Sequence, residues 1–254
     1  MKIVIPIQLV PDRVEEIVIK KEGNGFDLAE MTWMLNEFDD HAIEQGILLK
    51  EKSNCEVVVL AAGGELADDS LFAAAAKGAD RLVRLNIDNA VEPINNHALA
   101  RVFGELIKAE NPDLVLTGVS NYNSFDGCLG PMLAEFLGIP YMGYISSVDV
   151  SASGVTFLKD QPGGIKVKYE ASFPIVLGIS SSEKPPRYVP VSKVRQVMRT
   201  SSIEEADGEV DLNGGLKINR MYEPEKSGKI EMFTGNPKDI ADEIAKIFKS
   251  QGLI

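Results

Sequence analysis

The sequence predicts an α/β protein: a layered, mostly parallel sheet with antiparallel hairpin additions and an extended C-terminal arm. Three observations predict it. Short apolar runs alternate with helical patterns through the first two-thirds of the chain, the order of a parallel sheet covered by helices. Runs such as Glu56-Val-Val-Val-Leu-Ala61 are apolar almost throughout, as strands buried on both faces are. After Pro140 the runs are joined by turns such as Gln161-Pro-Gly-Gly164, which punctuate hairpins.

Taken in order, Lys2 to Gln8 reads as the first strand and Val14 to Lys20 as a second, leading into the turn Glu22-Gly-Asn-Gly25. Asn36 can cap a helix from Glu37 to Lys50, with Asp39 and Asp40 in its favourable first turn and Ile43, Ile47 and Leu48 on its buried face. Glu56 to Ala61 is a strand. Gly63-Gly64 opens a helix containing Leu71 to Ala76, which Gly78 ends. Arg81 to Leu85 is a strand, Asn96 to Ala109 a helix stopped by Asn111-Pro112, and Asp113 to Thr117 a strand. A polar loop follows and opens the helix Met132 to Leu137. Ser146 to Val150, Val155 to Lys159, Ile165 to Ala171 and Ile175 to Ile179 read as strands of hairpins that extend or flank the parallel sheet.

The character then changes. Pro185 to Met198 lies among the cations Lys184, Arg187, Lys193, Arg195 and Arg199, and an acidic stretch from Glu204 to Asp211 follows, too polar for a core. Asp239 to Lys249 forms an amphipathic helix with Ile240, Ile244, Ile247 and Phe248 on one side. We divide the chain into an α/β domain over residues 1–183, a basic loop over 184–200, and a C-terminal arm and helix over 201–254.

Composition bounds the function. With 38 acidic and 26 basic side chains, the net charge of −12 disfavours nucleic acid and anionic membranes as partners. The two cysteines, Cys55 and Cys128, form no Cys-x-x-Cys pair, and the two histidines lie far apart; neither a zinc site nor a disulfide framework is expected. No apolar run reaches spanning length, and the N-terminus reads as a strand rather than a targeting segment. The expected setting is the reducing cytoplasm.

Ligands of open α/β sheets bind beyond the carboxyl ends of the strands. Here those ends are Pro6 to Gln8, Ala61 to Gly64 and Thr117 to Gly130. The last holds Gly118, Gly127 and Gly130, which permit close backbone approach, just before a helix N-terminus suited to phosphate. Neither Gly-x-Gly-x-x-Gly nor the P-loop pattern is present. On spacing alone, a phosphate cradle and a glycine-containing connector are even readings.

Several segments together resemble the β subunit of electron-transfer flavoproteins. They are Asn36-Glu-Phe-Asp-Asp-His-Ala42, Ala75-Ala-Lys-Gly-Ala-Asp80, the strand, loop and helix after Pro112, Lys184-Pro-Pro-Arg-Tyr188, and Asn219-Arg-Met-Tyr-Glu-Pro-Glu225. The last is similar to the branch that serves amine dehydrogenases. The resemblance implies a Rossmann-like fold of the adenine-nucleotide α-hydrolase type. It implies a heterodimer with a larger α subunit, which mainly holds FAD, and an AMP buried in β. Such a pair is an electron carrier rather than an enzyme. It takes electrons from flavoprotein dehydrogenases and passes them to a quinone oxidoreductase or another acceptor.

The resemblance maps the AMP pocket onto Pro6, Asn36, Glu37, Phe38, Asp39, Ala62, Gly118, Asn121, Asn123, Gly127, Cys128, Leu129 and Gly130. Gly127-Cys128-Leu129 replaces the hydroxyl and amide side chains usual near the phosphate, so backbone N–H groups would serve, or the pocket would be empty. Leu129-Gly130-Pro131 is similar to bifurcating members that carry a second FAD and oxidise NADH, but their acidic loop pattern is absent. Arg13 and Phe38 map beside the FAD, where a cation could stabilise reduced flavin; as plain residues they read as a surface arginine and a core aromatic. The resemblance makes residues 1–183 the nucleotide-binding domain, 184–200 the partner recognition loop and 201–254 an arm and helix contacting the larger subunit; Arg187, Tyr188, Val191, Lys193 and Arg195 map to partner docking, with Val191 as the apolar anchor. His41 reads as an ordinary helix residue, and Trp33 and Met34 as packing. A nucleotide-binding regulatory module is the competing function.

Overall fold

A computed structural model describes residues 1–15, 17–27, 31–87, 95–122, 124, 127, 129–208, 210–224, 228 and 231–254. The chain divides into two units, Met1–Met221 and Tyr222–Ile254.

The first unit is built on a nine-stranded sheet. Its strands are β1 (Lys2–Ile7), β4 (Glu56–Ala62), β5 (Arg81–Asn86), β6 (Leu114–Gly118), β7 (Tyr141–Ser151), β8 (Gly154–Gln161), β9 (Ile165–Ala171), β10 (Ile175–Ile179) and β11 (Glu204–Asp207). They run in the order β11-β5-β4-β1-β6-β10-β7-β8-β9. Every pair is parallel except β7–β8 and β8–β9. The helices are α1 (Glu37–Ser53), α2 (Asp68–Lys77), α3 (Asn96–Glu110), α4 (Leu129–Leu137) and α5 (Val191–Val197).

The continuous apolar runs have a direct cause. Ile3, Ile5 and Ile7 of β1 join a core with Ile43 and Ile47 of α1 and Leu71 of α2. Val4, between them, points the other way, into a core with Phe103 and Ile107 of α3 and Leu133 of α4. Successive strand side chains alternate faces, so a sheet with helices on both faces needs apolar residues at every position.

Three expectations are corrected. Among the described residues, Val14 to Lys20 forms no strand. Asp12 Oδ1 accepts the Val14 N–H at 2.9 Å, turning the chain where a ladder would begin, and among the described residues this stretch contributes only the isolated bridge Ile19–Phe26. A short antiparallel pair forms instead between β2 (Leu9–Pro11) and β3 (Trp33–Leu35). Next, Ile175 to Ile179 does not flank the sheet: β10 lies inside it, parallel to both β6 and β7. Last, the acidic stretch is not wholly an arm. Glu204–Asp207 is the edge strand β11, because Arg81 binds Glu204 (2.7 and 2.8 Å) and Arg84 binds Glu205 (2.6 Å) from the neighbouring β5.

In the second unit α6 (Pro237–Ser250) has proline at its start. Asn236 Oδ1 caps it by accepting the Lys238 N–H at 3.0 Å.

Candidate functional site

The carboxyl ends of β1 and β6 meet the N-terminus of α1 around one carboxylate. Asp39 Oδ2 accepts the Gln8 N–H at 2.8 Å, and Oδ1 accepts the Gly118 N–H at 2.9 Å. Asp39 therefore does not face solvent from the first turn of α1. It is buried, and it stitches together two strand ends that stop bonding one another. Burial is the largest influence on it and pushes its carboxyl up to about 7, against the downward pull of these donors and the Asn36 side chain.

Asn36 stands at the N-cap of α1, but its side chain makes no cap bond. It donates instead from Nδ2 to the Ser120 carbonyl at 3.0 Å. An amide chain continues across the strand ends. Asn121 Nδ2 donates to Gln8 Oε1 (2.7 Å), Gln8 Nε2 to Asn96 Oδ1 (3.1 Å), and Asn96 Nδ2 to Ser124 Oγ (3.0 Å). The Ser124 N–H and Oγ both donate to Asn121 Oδ1 at 2.7 Å. Gln8, Ser120 and Ser124 lie within the strand ends expected from the sequence but were not singled out there, and sequence reasoning missed Asn96. The available signal was polar residues standing at a strand's carboxyl end and a helix's first turn.

The glycines of the loop have internal reasons. A Cβ at Gly118 would overlap Asp39 Oδ1 and lie 2.8 Å from Phe38 Cβ. A Cβ at Gly130 would lie 2.8 Å from both Thr117 Oγ1 and a ring carbon of Tyr141. Gly127 alone has a left-handed backbone, with φ +55°. Tyr141 in turn fills a slot left by three glycines, since its hydroxyl would also meet a Cβ at Gly143 (2.6 Å) or Gly178 (2.5 Å). Among the described residues, Thr117 Oγ1 is the buried side-chain polar atom left without a hydrogen bond.

The other expected residues fall as follows. Pro6 is buried inside β1 beside Leu60, and Ala62 ends β4. Glu37 is exposed, Phe38 is half-buried, and Leu129 is buried at the start of α4. Asn123 and Cys128 lie outside the described residues. Arg13 is exposed, its guanidinium carbon 4.3 Å from the centre of the Tyr122 ring and its Nη2 3.9 Å from Glu37. The Tyr122 hydroxyl donates to the Pro11 carbonyl, so this tyrosine, which sequence reasoning also missed, ties the loop after β6 to β2 and supports Arg13.

The docking candidates lie elsewhere on the first unit. Tyr188 is 86% exposed and Val191, which opens α5, 62% exposed. Lys193 and Arg195 are exposed. Arg187 instead binds Glu44 and Glu51 within the chain. His41 is more than a helix filler: its Nδ1 accepts the Ser182 N–H at 3.1 Å.

The strand-end cluster offers amide donors and acceptors, a carboxyl and backbone N–H groups. It suits binding and orientation. Among the described residues no group of His, Cys, Asp and Glu side chains could hold a metal ion, and no helix is long and apolar enough to cross a membrane.

The electron transfer flavoprotein domain model matches residues 26–209 of the chain. This chain belongs to the electron-transfer flavoprotein family. Its relatives include proteins named electron transfer flavoprotein subunit beta from Methylophilus methylotrophus, Bradyrhizobium diazoefficiens and Bacillus subtilis. The first is 30% identical over 98% of this chain and 97% of the relative; the second is 27% identical over the whole of both. The third is 26% identical over 96% of this chain and 95% of the relative. The matched segment contains α1 with Asp39, its partner Gly118, and all of α2 to α5. As a β subunit of this family the chain serves electron transfer.

Proposed function

We propose that this chain pairs with a larger α subunit as a heterodimeric carrier. The carrier takes electrons from flavoprotein dehydrogenases, amine dehydrogenases among them, and passes them to a quinone oxidoreductase or another acceptor in the cytoplasm. It is not itself an enzyme. The observation that carries this reading is similarity from end to end with proteins named as β subunits, at full or nearly full coverage.

FAD, when bound, supplies the chemistry of accepting and releasing electrons. In this reading α holds most of it, because the β chain has no dinucleotide loop of its own. Arg13, braced on Tyr122, and Phe38, packed against Gly118, face it from the β side. The strand-end cluster fits an adenine nucleotide such as AMP. Gln8, Asn96 and Asn121 can exchange bonds with one another for bonds to a base or ribose. No lysine or arginine stands in the loop over 118–130, so the phosphate would fall to backbone N–H groups of that loop and the start of α4.

The test is to express the chain alone and with its α subunit, then record flavin absorbance and identify released nucleotides by mass spectrometry. We expect flavin in the heterodimer, little on the isolated chain, and an adenine nucleotide that survives purification. Stoichiometric flavin on the isolated chain would sink the reading.

A further inference from the structure

A second charged cluster, with Glu44 as its buried member, lies along α1. Glu44 is 2% exposed. Its carboxylate receives the Arg187 backbone N–H at 2.9 Å, Nε at 3.0 Å and Nη2 at 2.8 Å. Arg187 Nη1 reaches Glu51, about two turns on, at 2.6 Å. His41 and Gln45 lie beside Glu44 at helical spacing and accept the N–H groups of Ser182 (3.1 Å) and Glu183 (3.2 Å). Lys52 binds the Glu183 carboxylate at 3.0 Å.

Residues 182–190 have no helix or strand to shape them. Three of their backbone donors end on α1 side chains instead. The bond to the Glu44 carboxylate is charge-assisted and the strongest of the three; Pro185 and Pro186, between the second and third donors, and Pro190 beyond them restrict the backbone. Tyr188 and Val191 follow directly, both largely exposed.

We propose that Glu44 is a positioning residue for docking: it does not meet the partner, but by fixing Arg187 it sets the direction in which Tyr188 and Val191 project. This rests on the docking reading of Tyr188 and Val191 given above. Arg187 is then an internal anchor, and the partner-facing charge belongs to Lys193 and Arg195. A bidentate arginine gives direction as well as strength. A segment held in its bound shape also loses less entropy when it docks.

The test uses the heterodimer carrying Glu44→Gln, which keeps volume and one acceptor oxygen but not the charged fork. The probe is whichever member of a panel of purified flavoprotein dehydrogenases reduces the wild-type heterodimer. The expected result is a rise of roughly tenfold in the apparent KM for the carrier with kcat unchanged. Amide exchange should quicken at Ser182, Glu183 and Arg187 but not at Gln8 or Gly118. Val191→Asp is measured alongside. If Val191→Asp weakens docking and Glu44→Gln leaves KM unchanged, the positioning role is wrong and the docking reading stands. An unchanged KM for Val191→Asp removes both. Should Glu44→Gln not assemble, Arg187→Lys keeps the charge without the fork; a folded Arg187→Lys heterodimer with wild-type KM overturns the proposal.

Discussion

Burial moves the Asp39 carboxyl from 3.8 to about 7, even though two backbone donors favour its ionised form. The consequence for stability has a definite sign. A proton kept by the folded chain and lost by the unfolded one stabilises the fold at low pH. The Asp39 contribution is complete below about 3.8, declines as pH rises, and is gone once pH has passed through about 7. Glu110 and Glu204 work in the other direction. Arg81 holds both below the ordinary carboxylate range, so their contribution is present above that range and lost as pH falls. Urea unfolding of wild type and Asp39→Asn isolates the first effect. Between pH of about 5 and 7.5 the wild type should lose on the order of 2 kcal/mol relative to the variant; parallel profiles would show that Asp39 is ionised throughout. Gly118 makes a second prediction at this scale. Gly118→Ala must displace the start of α1, because the new methyl would overlap Asp39 and Phe38. It should cost about 2–4 kcal/mol in urea unfolding, whether or not nucleotide is present, and a cost that vanishes in nucleotide-free protein would assign Gly118 to the ligand instead.

Among the elements, β11 shows how far local composition can mislead. Glu204 to Asp207 has the residues of a solvated arm, and its sequence does not reveal which cations it binds. Its partners are Arg81 and Arg84, more than 100 positions away. Arg81 also forks onto Glu110 of α3 at 2.8 and 3.0 Å, so one side chain holds the edge strand to the body of the sheet. Arg81→Met should free β11 and cost about 1–2 kcal/mol, chiefly by leaving Glu204 without its cation and Glu110 with Lys2 alone; amide exchange at Glu205 and Ala206 should rise toward that of an open segment. The better-read elements are those whose partners are local. α2 and its Gly78 cap, α3 and its Asn111 stop, and the alternating β9 all lay where periodicity put them. The candidate site was legible only in part. Asn36, Asp39, Gly118 and Asn121 do come together, but Gln8, Asn96 and Tyr122 join through contacts spanning 88 to 113 positions, which no local pattern encodes. Position β10 in the sheet was hidden for the same reason: an apolar run states that it is buried, not between which neighbours.

Across the whole molecule, the net charge of −12 makes an exposed basic segment around Val191 a local exception, suited to an acidic face on a partner. Val191→Ala should weaken docking of the heterodimer by about 1 kcal/mol, the scale of a few buried methyl groups, or roughly fivefold in affinity. Flavin content should not change. Raising salt should weaken docking separately, through Lys193 and Arg195. Steady-state electron transfer across a range of carrier concentrations measures both, and an apparent affinity indifferent to Val191 and to salt would place docking elsewhere.

The position of β10 also governs when the sheet can be finished during synthesis. Its two neighbours, β6 and β7, are made earlier but do not pair with each other. Until residues 175–179 emerge from the ribosome, the nascent chain holds two partial sheets, one built around β1 and the other the β7–β8–β9 meander, each with an open apolar edge. Such edges invite pairing with other chains. A transcript truncated just before Ile175 should therefore yield an aggregating product, whereas one that ends after Ile179 has supplied the strand that joins the halves.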